Sequence, residues 1–128
     1  MPTKSPLGSK KIMAFVATEG AAQAKAFYRD TLGLRLISED PFALAFDAHG
    51  IMLRVTGAGK AVIAPYTVLG WQVKNVAKTV KALLKMRVIF ERYTGMGQDD
   101  FGIWNSPTGA KVAWFKDPDG NTLSITQF

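Results

Sequence analysis

The sequence runs through one pattern twice, and that repetition limits the fold more than any single residue does. An apolar, β-prone run at residues 12–18 is broken by Gly20. A helical pattern follows over residues 21–32, with Ala21, Ala24, Tyr28 and Leu32 on one face and Phe27 beside them. Gly33 stands where a helix C-terminal cap belongs. A short strand at residues 34–38 is punctuated by Asp40-Pro41. Residues 42–47 alternate as a strand, His49-Gly50 forms a tight hairpin turn, and residues 51–56 return.

After a glycine- and proline-bounded linker at residues 57–65, the order begins again. Residues 66–73 read as a strand and Asn75 as an N-cap. Val76, Val80, Leu83 and Leu84 form the apolar stripe of a second helix. Strands are predicted at residues 87–93, 101–105, 111–116 and 122–127. Residues 94–100 form a polar loop, and residues 107–109 and Asp117-Pro118-Asp119-Gly120 form turns. The fold class is α+β, with two βαβββ modules: module one at 12–56, the linker at 57–65 and module two at 66–128. Residues 1–11 read as a flexible tail, which leaves 12–128 as a single domain. One module cannot bury both faces of its sheet. Two together predict a curved mixed sheet around a cavity, with the helices outside.

Composition removes several function classes. Apolar residues make up 48% and charged residues 20%, a globular balance. No run of about 18 apolar residues is present, so no membrane partner is expected. The tail lacks the apolar core of a secretory signal, and a cytoplasmic location is expected. The absence of cysteine excludes disulfides, thiolate metal sites and a cysteine nucleophile. The net charge of +6 comes largely from a solvated lysine face, Lys74, Lys78, Lys81 and Lys85, and from the tail. No aromatic side chains are interleaved with these lysines to stack on bases, so nucleic acid is not an expected partner.

The stretch Lys25-Ala26-Phe27-Tyr28-Arg29-Asp30-Thr31-Leu32-Gly33-Leu34 pairs two aromatics with a Leu-Gly-Leu stop. Phe115-Lys116-Asp117-Pro118-Asp119-Gly120-Asn121 places a compact turn before the last strand. With the repeat, these segments resemble the vicinal-oxygen-chelate superfamily of glyoxalases, bleomycin-resistance proteins and ring-cleaving dioxygenases. The resemblance covers about residues 12 to 127 and implies a glyoxalase-like domain. It also implies a shared cavity, frequent dimers and, in metal-dependent members, a divalent metal held by His, Glu or Gln side chains, two from each module.

Carried onto this chain, the four ligand positions fall at Met13, Arg54, Val68 and Ser124. Metal sites want imidazole, carboxylate or thiolate. Arg54 is a permanent cation. No metal and no cofactor are therefore expected, and no catalytic residue is assigned. The lone histidine, His49, reads as solvated, and Asp117 and Asp119 as turn formers. If the carried-over Arg54 faces the cavity, period two turns Met52 and Thr56 there too; Ser124 would bring Thr122 and Thr126, and Val68 would bring Gly70 and Gln72. Trp104 and Trp114 are candidate walls of a ligand cavity, and Trp71 packs beneath a helix. Arg54 suits a carboxylate or phosphate, or an ion pair with Glu19 or Glu91.

Three functions follow from this reading. The first is metal-free binding of a small aromatic or anionic molecule by Met13, Arg54, Val68, Trp104, Trp114 and Ser124. The second is a metal-dependent lyase, isomerase or dioxygenase of the glyoxalase type. The third is a non-catalytic module acting through a homodimer surface.

Overall fold

Strands, not helices, set the frame of the protein, a computed structural model that describes residues 5–128. Module one contains β1 (Met13–Thr18), β2 (Arg35–Glu39), β3 (Ala43–Ala48) and β4 (Ile51–Gly57). They order as β1-β4-β3-β2, with β1 parallel to β4 and the other pairs antiparallel. Module two repeats this with β5 (Thr67–Gln72), β6 (Trp104–Asn105), β7 (Lys111–Lys116) and β8 (Thr122–Gln127), ordered β5-β8-β7-β6. The two edge strands β1 and β5 approach each other, but no ladder joins the sheets. Part of the expected tail, residues 1–4, lies outside the described residues, while residues 5–12 are exposed and in neither helix nor strand. Among the described residues no helix is long and apolar enough to cross a membrane.

Local chemistry explains most boundaries. His49 and Gly50 both have positive φ, 52° and 89°, the backbone that a two-residue hairpin needs. Asn75 caps α2 (Val76–Lys85) by accepting the Lys78 amide at 3.0 Å. The first helix begins as α1 (Ala21–Lys25) and continues as π-helical turns over Ala26–Thr31. Gly33 ends it at φ 77°, and the Leu34 amide closes back on the Tyr28 carbonyl at 2.9 Å. The stripe of α2 is narrower than the sequence pattern, because Val76 and Val80 are fully buried while Leu84 is exposed.

Two expected strands are curtailed, for one reason. Residues 87–93 keep only a bridge between Phe90 and Phe115. Arg87 turns left-handed there, at φ 68°. The Gln98 side chain then accepts the Tyr93 amide at 2.7 Å and donates to the Glu91 carbonyl at 2.9 Å. Arg92 donates to the Asp99 and Asp100 carbonyls. Residues 101–105 keep only Trp104 and Asn105 in β6, because Asp99 takes the Phe101 and Ile103 amides, each at 2.9 Å. Side chains thus satisfy backbone groups that a ladder would otherwise claim.

One continuous core crosses both modules, from Val16, Tyr28, Phe46 and Leu53 to Val76, Phe115, Leu123 and Ile125. Trp71 lies on this side, its ring 6.4 Å from Phe115 at 19°. Tyr28 donates to Asp117 Oδ2 at 2.7 Å, and Asn121 Nδ2 donates to the Ala17 carbonyl at 2.9 Å. The turn at residues 117–121 of module two is therefore fastened to module one. Burial, then the charge and hydrogen bond of Asp117, push the Tyr28 phenol far above its usual value near 10. The unfolded chain ionises first, so stability falls as pH rises past about 10. Tyr28 adds a loss of roughly 1.4 kcal/mol per pH unit there. Urea melts from pH 9 to 12 should show that slope in wild type and its removal in Tyr28→Phe; equal slopes would refute the role given to Tyr28.

Candidate functional site: the open face

Each sheet turns one face to the helices and leaves the other open. On β4, Leu53 and Val55 are buried in the core, which sends Met52, Arg54 and Thr56 to the open side. Register then builds rows across sheet one. Met13 pairs with Met52, Phe15 with Arg54, and Arg54 with Ala45. Sheet two gives matching rows: Gly70 pairs with Ser124 and Ser124 with Trp114, while Lys116 pairs with Thr122. A Cβ on Gly70 would meet Ser124 Oγ at 2.7 Å, so glycine is needed for this close approach.

Arg54 is half-buried beside Phe15, which is 60% exposed. Among the described residues the guanidinium makes no ion pair, and neither expected carboxylate reaches it. Glu19 accepts the Ala61 amide, and Glu91 faces Lys116. Asp40 is near enough to feel the charge: the Phe42 and Ala43 amides, then Arg54, hold its carboxyl below the usual range. Met13 shares the Arg54 face. Val68 falls in the irregularity between Thr67 and Leu69, outside the regular register. The Thr56 hydroxyl is buried without a hydrogen-bond partner.

A cleft of about 480 Å³ opens on module two. Its sheet side presents Trp114, Lys116 and Thr122, and Tyr93 and Met96 close one end. Its other side is the linker, from Ile63 to Tyr66. Trp114 sits between two rings, 5.5 Å from Tyr93 at 82° and 6.0 Å from Trp104 at 38°. Burial, then the Glu91 charge, raise the Tyr93 phenol, against a smaller opposing effect of Lys116. Of the expected ligand residues only Trp114 lines this cleft; Trp104 packs against it, Ser124 is buried opposite it on β8, and Met13 and Arg54 lie on the open face of the other sheet. Sequence reasoning missed Tyr66, Met96 and Lys116 as cleft residues. Lys116 was legible, since it shares the parity of Trp114. The linker wall was not.

The four positions carried over for a metal offer a thioether, a guanidinium, an aliphatic group and a hydroxyl. This donor set does not fit a divalent metal. Among the described residues, no group of three or more His, Asp and Glu side chains is placed to hold one. Asp117 is fully engaged in its turn, accepting from Tyr28, Asp119 and Asn121. His49 is exposed in the hairpin.

Two such modules in series, helices on one side and open sheet faces on the other, define the paired-βαβββ class of proteins. Residues 12–125 match the family model of the Glyoxalase/Bleomycin resistance protein/Dioxygenase superfamily, and the chain belongs to that superfamily. Among solved structures it is similar to a lactoylglutathione lyase from Agrobacterium tumefaciens, with a TM-score of 0.72 at 18% identity, covering 94% of this chain and 95% of that one. A glyoxalase family protein from Enterococcus faecalis gives 0.71 at 20% identity, covering 92% and 98%. A putative glyoxalase family protein from Bacillus anthracis gives 0.72 at 14%, covering 99% and 98%. At these identities the likeness concerns the fold. A search of curated proteins finds no match.

Proposed function

We propose that this chain binds a small, flat, aromatic or anionic organic molecule on its open face, without a metal. The observation that carries this reading is the cleft itself. Tyr66 comes from the linker, Trp114 and Lys116 from β7, and Tyr93 lines the cleft with them. Its volume of about 480 Å³ suits a drug-sized ligand. Aromatic walls favour a planar ring, and a lysine favours an acidic substituent. Arg54 beside exposed Phe15 offers the same pairing of cation and ring on module one. A lyase or dioxygenase reading would need donors that Met13, Arg54, Val68 and Ser124 do not supply.

Anilinonaphthalene sulfonate, an aromatic anion, is a suitable probe. Titration should give saturable binding that survives dialysis against EDTA. Trp114→Ala should weaken it by about 2 kcal/mol, roughly 30-fold. Loss of binding after chelation would refute the metal-free reading, and unchanged affinity in Trp114→Ala would move the site elsewhere.

A further inference from the structure

The linker that walls the cleft has a sparse set of anchors. Residues 62–66 make no hydrogen bond to the rest of the described chain outside β5 pairing. The wall is held at its ends. At Thr67 it joins β5 opposite Thr122. At the other end, the Ala61 amide donates to Glu19 Oε2 at 2.8 Å. Glu19 also donates its own amide to Asp119 Oδ1, at 2.8 Å. Asp119 belongs to the turn between Lys116 and Thr122, and Gly120 of that turn lines the cleft with them. One residue of module one therefore grips the linker wall with its side chain and the floor turn with its backbone.

We infer that Glu19 is a positioning residue that sets the width of the cleft and so the thickness of ligand it accepts. The inference rests on the cleft being the binding site. Glu19 is exposed and outside the core, so its side chain contributes little to global stability. It acts on the wall, because a carboxylate is the stronger acceptor for a backbone amide. Without it, the nearest anchor upstream is the Ala58 amide on the Thr18 carbonyl at 2.9 Å, so the unanchored span lengthens by three residues and ordering it falls to the ligand.

The test uses the full chain with Glu19→Ala and Glu19→Gln. Amide hydrogen exchange should quicken roughly tenfold at Ala61, whose amide loses its acceptor in Glu19→Ala, with β7 and β8 unchanged. Anilinonaphthalene sulfonate affinity should fall roughly tenfold, at an unchanged melting temperature. Glu19→Gln keeps an acceptor oxygen and should restore most of both effects. Unaltered exchange at Ala61 would overturn the inference. So would altered exchange with unaltered affinity, provided Trp114→Ala weakens binding in parallel; that pattern spares the cleft and removes the role of Glu19. A wild-type chain that does not bind the probe fails the cleft reading first, and the inference falls with it.

Discussion

Asp117→Ala should destabilise the protein by about 3–5 kcal/mol, among the largest single-residue effects outside the apolar core. Asp117 is 6% exposed. Its Oδ1 accepts the Asp119 and Asn121 amides, at 3.0 and 2.9 Å. Its Oδ2 accepts the Tyr28 hydroxyl at 2.7 Å and Asn121 Nδ2 at 2.9 Å. Removing the carboxylate orphans these donors in a place that water does not reach, and each buried orphan costs about 1–3 kcal/mol. Tyr28→Phe removes one donor and leaves the carboxylate its others, so about 1–2 kcal/mol is expected. The double variant should lose less than the sum, because the Tyr28→Phe background has no hydroxyl left to orphan. Urea titrations of the wild type, both single variants and the double variant give the coupling; strict additivity would refute the direct Tyr28–Asp117 link.

That hub marks the line between what the sequence discloses and what it hides. Asp117 was legible as a turn former, since Asp-Pro-Asp-Gly is turn chemistry within five residues. β7 and β8 were legible to their end residues, because an apolar run and an alternating one flank that turn. His49-Gly50 and Asn75 act through neighbours three residues away or fewer. The partner of Asp117 is different: Tyr28 lies 89 residues earlier, and no local pattern records the contact. The same holds for residues 87–93, read as a strand from their own letters, where Gln98 takes over the Glu91 carbonyl and the Tyr93 amide. Period two ties Met52 and Thr56 to Arg54, and Thr122 and Thr126 to Ser124, but which parity is open came from the resemblance and not from the alternation. Neither discloses the cleft, because its second wall is a linker without periodicity, tied to Glu19 across 42 residues.

Phe115→Ala should cost about 3–5 kcal/mol, and its consequence should reach the open face. Phe115 is 1% exposed and sits where the two modules meet. Its ring lies 6.4 Å from Phe27 of module one, 6.4 Å from Trp71 and 5.6 Å from Phe90. Truncation leaves a void that these rings cannot fill without shifting, so the loss exceeds the transfer energy of the side chain. Phe115→Leu keeps much of the volume, and about 1–2 kcal/mol is expected. Because side chains alternate along β7, the residues on either side of Phe115 are Trp114 and Lys116, the cleft's aromatic wall and its cation. The packed face thus fixes the strand that presents the binding face. In Phe115→Ala, held folded below its lowered melting temperature, anilinonaphthalene sulfonate should bind more weakly although no cleft side chain has changed. Wild-type affinity in the folded Phe115→Ala protein would show that β7 holds Trp114 and Lys116 in place without help from the core.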